Sequence, residues 1–123
     1  MLPPRLAREL EELREAQSLS FSEEADFINI LLLDFPTGEA YSSPTTTVLL
    51  RVPRAYPDAG LDMFWTDSSL TLADGGVPRN ADQYEAYAER QWRRFSWHHN
   101  GWNATLNNLH TYVEFVRRRF RER

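Results

Sequence analysis

The chain has 123 residues, of which 41% are hydrophobic and 26% are charged, and its formal net charge at pH 7 is −4. This length is typical of a single domain, so residues 1–123 are predicted to fold as one unit. No apolar run approaches the ~20 residues that span a bilayer, and the start lacks the basic and apolar regions of a signal peptide. We therefore expect a cytoplasmic protein that does not insert into a membrane.

The residue types present exclude several kinds of chemistry. The chain contains no cysteine, which rules out disulfides, thiolate metal sites and thioester formation on a cysteine. All fourteen basic residues are arginine, and many of them lie after Arg90. Because the net charge is nevertheless negative, a general nucleic-acid surface is not expected.

The first predicted element is an amphipathic helix near the start of the chain. Pro3 and Pro4 lead into it, and Leu6, Leu10 and Leu13 recur at helical spacing among charged side chains. A narrow apolar stripe of this kind is typical of a helix that packs against a sheet. We expect it to cover one face of the strands that follow.

An antiparallel meander of three strands is predicted after this helix. Residues 18–26 are polar and are predicted to be a connection. The apolar run 27–35 favours a strand covered on both faces, although periodicity alone leaves a buried helix open. Residues 47–52 alternate with a period of two, and residues 61–66 are predicted to form the third strand. Turns that contain proline and glycine separate the three strands.

A loop and a second helix are predicted next. Residues 67–80 contain serine, glycine and proline and are typical of a loop. Asn80 is predicted to cap a helix that continues to residue 95. Helical spacing places the aromatic side chains of this stretch on one face, and most of them are expected in the core: Tyr84, Tyr87, Trp92 and Phe95.

The most unusual composition is found in residues 96–103, which we call the Trp/His segment. A structural interpretation is that its tryptophans clamp the join between two helices, with each indole N–H bonded. A functional interpretation is that His98 or His99 titrates near neutrality while Trp97 or Trp102 forms a wall for a flexible chain terminus. The sequence alone leaves both interpretations open.

Clustered histidines raise the question of a metal ion. His98 and His99 are adjacent, so both cannot point at one ion from a regular helix or strand. His110 and carboxylates are the only further ligands, and this set is thin for zinc. We therefore predict neither a metal nor any other cofactor.

A final amphipathic helix is predicted after the Trp/His segment. Its apolar stripe has spacings of three and four and consists of Leu106, Leu109, Val113, Val116 and Phe120. Arginines crowd its end, where the helix dipole favours positive charge. His110 lies beside the stripe, where it either faces the Trp/His segment or is an ordinary half-buried histidine.

Two stretches resemble the ubiquitin-conjugating enzyme fold. Residues 52–57, Val-Pro-x-x-Tyr-Pro, and residues 64–66, Phe-Trp-Thr, are similar to the Phe-Pro-x-x-Tyr-Pro and Phe-x-Thr signature of that fold. The pattern Trp-x-x-Phe-Ser-Trp-His from Trp92, followed by Trp102 and a helix, is similar to the bacterial family E of ubiquitin-conjugating-like proteins.

The resemblance implies an α+β fold with an N-terminal helix, an antiparallel meander and C-terminal helices on one side. It also implies a ubiquitin-like protein and an activating-enzyme-like protein as partners. In catalytic members, His-Pro-Asn and the cysteine would lie near Leu70 and Asn80, counted from Phe64, and neither is present there. The usual thioester transfer is therefore not expected.

Three functions follow as hypotheses. The first is a cysteine-less protein that binds and positions a ubiquitin-like protein or its activating enzyme through an aromatic groove, with Arg94 as the anion contact. The second is a hydrolase or acyl-transfer enzyme in which His98 or His99 is catalytic, with or without a metal. The third is a scaffold domain. The predicted binding residues are Arg94, Trp97, His98, His99, Trp102 and His110.

Overall fold

The computed structural model describes residues 1–122, which form two helices and six strands. In chain order these are α1 (Pro4–Arg14), β1 (Leu19–Glu23), β2 (Phe27–Pro36), β3 (Thr45–Pro53), β4 (Phe64–Asp67), β5 (Gln83–Tyr87), β6 (Arg90–Phe95) and α2 (Leu109–Arg119). The strands form one antiparallel sheet in the order β1-β2-β3-β4-β6-β5. The predicted α+β class is confirmed.

Both helices pack on the same face of the sheet, which we call the inner face. The predicted stripe of α1 is confirmed, because Leu6, Leu10 and Leu13 are buried. These side chains share one core cluster with inner-face strand residues such as Leu50 and Phe64. The core therefore lies between a helical layer and one side of the sheet.

The C-terminal helix begins later than its predicted stripe. Leu106 is 71% exposed, whereas Leu109 is fully buried at the first position of α2. Asn108 precedes it as the N-cap, and its side chain accepts a hydrogen bond from the Thr111 N–H at 2.9 Å. Thr111 donates its hydroxyl to Asn108 O and accepts from the Asn108 N–H, so the helix start is fully capped.

The strand predictions are correct for β2 and β3 and incomplete elsewhere. The predicted connection 18–26 instead contains β1, an edge strand that pairs only with β2. Its composition is polar because an edge strand is joined by backbone hydrogen bonds and buries few side chains. The strand predicted over 61–66 starts only at Phe64, because Met63 has a left-handed φ of 59° that interrupts the extended backbone.

The outer face of the sheet carries no helix but is still partly buried. Leu49, Trp65 and Trp92 form a small second core there. Arg51 lies on the same face, with its guanidinium 4.4 Å from the ring centre of Phe27 and paired with a glutamate at 2.7 Å. Side chains alone therefore cover the middle of this face.

The helix predicted from Asn80 to residue 95 is wrong. This stretch is the hairpin of β5 and β6, and β6 pairs with β4 to extend the sheet. Asn80 has a φ of 61°, which is unsuitable for an N-cap. Trp92 faces the outer side and Phe95 the inner side, so the aromatics follow the two-residue period of a strand. Their spacing fits a helix equally well, and for this reason the sequence pattern predicted a helix here.

The two-residue turn of this hairpin predicts a change in the free energy of unfolding for Ala88→Gly that would have the opposite sign in a helix. Ala88 and Glu89 have φ values of 49° and 64°, as in the type I′ turns that favour glycine and asparagine. We expect Ala88→Gly to raise the free energy of unfolding by about 0.5–1 kcal/mol. The measurement is urea-induced unfolding.

The matched control is Ala86→Gly within β5. It should lower the free energy of unfolding by about 0.5–1 kcal/mol, because glycine weakens a strand interior. A helix through residues 81–95 would make both substitutions destabilising, which would contradict the hairpin.

Candidate functional site

The Trp/His segment connects the end of β6 to α2 across the end of the sheet. Its start is fixed by backbone bonds, because the Ser96 N–H donates to Asn80 O at 2.8 Å and Trp97 O accepts from the Met63 N–H at 3.1 Å. Gly101 has a φ of 73°, which lets the chain reverse before Trp102. The segment is thus anchored at both ends and exposed between them.

Trp102 fastens the segment to the turn that follows β3. Its indole N–H donates to Pro57 O at 2.8 Å, and its ring lies 5.9 Å from the ring of Tyr56. A Cβ placed on Gly60 would lie 2.2 Å from Trp102 Cδ2, so only glycine leaves room for the indole. The structural interpretation of this tryptophan as a clamp agrees with these contacts.

His99 lies in an aromatic environment below this clamp. Its ring centre is 6.0 Å from Trp102, 5.9 Å from Tyr112 and 5.2 Å from Phe115. Its Nδ1 is buried and has no hydrogen-bond partner among residues 1–122. The contacts are those of a half-buried histidine packed against α2.

His98 points the other way and is paired with a carboxylate. Its Nδ1 lies 2.8 Å from Asp62 Oδ1, and the two side chains are 59% and 55% exposed. A carboxylate at this distance orients the imidazole ring. Among the described residues, His98 is the only histidine of the segment with a carboxylate at hydrogen-bond distance, as a general base needs.

Within the segment, the Trp97 ring contacts arginines from the loop before β5 and from the end of α2. The guanidinium carbons of Arg79 and Arg119 are 5.3 Å and 5.0 Å from its ring centre. Both arginines were missed by sequence reasoning, because Arg79 lies in a loop and Arg119 in a run of arginines at a helix end. Two cations on one indole ring make this the most positively charged part of the segment.

The structure places Arg94 and His110 away from these residues. Arg94 is on the outer face of the sheet, where it donates to Ser96 Oγ at 2.9 Å and to Glu85 Oε2 at 3.2 Å. His110 is on the first turn of α2 and lies 2.9 Å from Glu12 of α1. The structure therefore brings together Trp97, His98, His99 and Trp102 from the predicted set.

A buried carboxylate joins the elements on which the Trp/His segment packs. Glu9 of α1 is 3% exposed and accepts hydrogen bonds from the Tyr56 hydroxyl, from the Leu109 N–H at 3.1 Å and from Arg5 Nε at 2.8 Å. Arg5 also donates to Ala104 O and to residue 107, each at 2.6 Å. One ion pair thereby joins α1, the Tyr-Pro turn and the start of α2.

The surroundings of Glu9 determine its protonation. Burial alone would raise the pKa of this carboxyl, but hydrogen bonds from Tyr56, Arg5 and the Leu109 N–H outweigh it and hold the pKa below the ordinary value. Burial, followed by the hydrogen bond to Glu9 and then the charge on Glu9, raises the pKa of the Tyr56 hydroxyl. At neutral pH the pair is therefore an ionised carboxylate and a neutral phenol.

The described part of the chain contains neither a group of side chains that could bind a metal ion nor a helix that could cross a membrane. No three side chains of histidine, cysteine, aspartate or glutamate among residues 1–122 are placed to hold a metal ion. Within the same range, neither helix has the length and apolarity to cross a bilayer.

An N-terminal helix, an antiparallel sheet and a C-terminal helix on one face make this an E2-like fold, with a site that lacks cysteine. The sequence profile described as "Prokaryotic E2 family E" matches residues 6–123, so the chain belongs to this family. The family and fold inferred from the two motifs are thereby confirmed. No curated protein and no solved structure matched the chain in the comparisons.

The contact between Gly60 and Trp102 predicts the effect of one added methyl group. We expect Gly60→Ala to lower the free energy of unfolding by about 1–3 kcal/mol, because the indole has to leave its place. Urea unfolding followed by tryptophan fluorescence measures this. Gly76→Ala is the matched control, since the nearest atom to its added Cβ is at the far end of the Asp74 side chain, 3.0 Å away. An unchanged stability of Gly60→Ala would contradict the clamp.

The Glu9 network predicts a specific acid sensitivity. Because the folded pKa of Glu9 is lowered, its stabilisation is complete above the ordinary value of 4.5 and is lost as the pH falls through the folded pKa. We expect Glu9→Gln to cost about 3 kcal/mol near pH 7, with a smaller difference from the parent chain at acid pH. Unfolding by urea across a pH series measures both effects.

Two other carboxylates matter for the interpretation of that pH series, one as a control substitution and one as a second acid-sensitive group. Glu12→Gln removes an exposed carboxylate one turn away and should change stability by less than about 0.5 kcal/mol. Glu24 also has a lowered pKa, so the parent chain loses stability in acid for more than one reason. The decisive quantity is the difference between Glu9→Gln and the parent. A difference that does not shrink with falling pH would contradict the assignment.

Proposed function

We propose that this chain is a cysteine-less member of a bacterial ubiquitin-like modification system that binds and positions a ubiquitin-like protein or its activating enzyme. Membership in prokaryotic E2 family E supports this class of partner. The lack of cysteine supports positioning over thioester transfer, because no thiol can carry the modifier. The contact surface we propose is the Trp/His segment, with Trp97 at its centre.

The observation that carries the proposal is the rigid anchoring of an exposed segment. Trp102 and the Trp97 carbonyl fix it to the turn after β3 and to Met63, whereas His98 and Asn100 remain exposed. A preformed surface avoids the entropic cost of ordering a loop during binding. Aromatic rings with a polar rim suit an extended chain terminus laid along them.

The indole of Trp97 is better suited to a partner than that of Trp102. The Trp102 N–H is already bonded to Pro57 O, and its ring packs on Tyr56. Trp97 is half-buried, and its N–H has no acceptor among residues 1–122. A partner carbonyl or carboxylate would therefore meet a free donor beside a partly exposed ring.

A second function is supported by the pair of His98 and Asp62. An imidazole held 2.8 Å from a carboxylate is an arrangement that can act as a general base. Its substrate would be an acyl or amide bond at the modifier terminus. In that case His98→Ala would lower turnover by a hundredfold or more while leaving binding intact.

The test is binding of a ubiquitin-like protein taken from the gene neighbourhood, measured by calorimetry. We expect Trp97→Ala to weaken binding about thirtyfold, because truncating a central aromatic costs about 2 kcal/mol. His98→Ala should retain binding within about threefold, since its side chain is mostly exposed. The same samples, incubated with a fluorogenic ester or amide of the modifier terminus, report any hydrolysis.

Leu106→Ala is the control for a merely exposed apolar residue. Leu106 is 71% exposed and lies outside the Trp/His segment, so its loss should leave affinity unchanged. Circular dichroism should establish that Trp97→Ala is folded before its affinity is compared. Failure of the folded parent chain to bind either a ubiquitin-like protein or an activating enzyme would overturn the proposal.

A further inference from the structure

Three arginines contact Trp97 or belong to or bond the adjoining loop at residues 79–81, and of these Arg119 alone has a carboxylate partner among residues 1–122. Arg79 contacts the Trp97 ring and has no hydrogen bond or ion pair with any other of residues 1–122. Arg119 contacts the same ring, and Arg93 donates from Nη1 to Ala81 O at 2.5 Å. The convergence is local, because Asn80 O also accepts the Ser96 N–H that begins the segment.

Buried guanidinium atoms without partners make this cluster unusual. Arg93 is 4% exposed, and its Nε has no hydrogen-bond partner among the described residues. Arg119 is bonded to Glu122 at 3.2 Å through Nη2, and its own Nε is also buried and unpartnered. Arg93 has no carboxylate within ion-pair distance in residues 1–122; its other partner is the Tyr84 hydroxyl at 2.6 Å. Buried charges of this kind ordinarily have a counter-ion.

We propose that Arg79, Arg119 and the indole N–H of Trp97 form a recognition site for the terminal carboxylate of an extended peptide chain. Arg93, which is bonded to Ala81 O in the adjoining loop, adds positive potential without direct contact. The planar guanidinium group matches a carboxylate in two parallel hydrogen bonds, and the indole ring packs against the last residues. In this proposal Arg79 and Arg119 are the anion contacts because both lie on the Trp97 ring, whereas Arg94 lies on the outer face of the sheet.

The occupant we infer is the free C-terminus of the ubiquitin-like partner, so the inference rests on the proposed function. A terminal carboxylate fits better than an acidic surface patch, because the indole is only partly exposed and admits a narrow chain. The cluster is also separate from the pair of His98 and Asp62. Capture of the unreacted terminus would thus be a binding event that needs no catalytic residue.

The experiment compares two forms of the ubiquitin-like protein, one with a free C-terminal carboxylate and one with a C-terminal amide. We expect the intact chain to bind the carboxylate form at least tenfold more tightly, with the preference falling as salt is added. Arg79→Gln and Arg119→Gln should each abolish most of this preference. Arg118→Gln is the matched control, because that side chain is exposed on the same helix and should leave the preference unchanged.

A second measurement separates this inference from the proposed function. The indole N–H resonance of Trp97, assigned with Trp97→Phe, is followed during titration with a short glycine-terminated peptide as carboxylate and as amide. Equal binding of both protein forms would overturn the carboxylate site while leaving the proposed function standing. If the protein partner does not bind but the peptide carboxylate shifts the resonance in an Arg79-dependent way, the site stands and the proposed function fails. If both peptides leave the resonance unchanged, the site is refuted.

Discussion

The buried carboxylate of Glu9 is the interaction on which the arrangement of this protein depends. It is almost fully removed from water, yet it receives donors from α1, from the Tyr-Pro turn and from the first turn of α2. Each of these elements also packs on the core, and α2 is further held by the Tyr112 hydroxyl, which donates to Met63 O at 2.7 Å. Because hydrogen bonds to a buried charge are directional, they fix orientation in a way that apolar packing does not.

Two hydrogen bonds and the link between Tyr56 and Pro57 connect this carboxylate to the candidate site. Tyr56 is bonded to Glu9, and the next residue, Pro57, supplies the carbonyl that accepts the Trp102 indole N–H. Trp102 in turn packs against His99, which rests on α2. The Tyr-Pro motif is thus a structural joint in this chain, and it explains why a motif associated with the fold lies beside the segment proposed to bind a partner.

The sequence predicted elements correctly where the spacing of apolar residues matched the side chains that are buried in the fold. The one-sided stripe of α1 and the apolar run of β2, which is covered on both faces, were both predicted. The β5–β6 hairpin was missed because Tyr84, Trp92 and Phe95 fit a helical spacing, while the turn that decides the matter is Ala-Glu rather than Asn-Gly. Strand β1 was missed because an edge strand can be polar.

The candidate site was predictable in composition but not in its contacts. Two tryptophans and two histidines within eight residues identified the Trp/His segment. The partners of these side chains come from distant parts of the chain: Asp62 lies 36 residues before His98, and Pro57 lies 45 residues before Trp102. No local pattern encodes such pairs. For the same reason Arg94, which is close to the segment in sequence, was chosen before Arg79.

The pairing of the arginines separates structural from free positive charge. Arg51, Arg90 and Arg94 each have a carboxylate within 3.2 Å on the outer face, so their charges are used within the fold. Arg79 has none, and Arg93 is buried with only neutral oxygen acceptors among the described residues. Arg79, which has no ion pair among residues 1–122, therefore places positive charge beside a partly exposed indole. The proposed carboxylate site depends on this local positive charge rather than on the net charge of the chain.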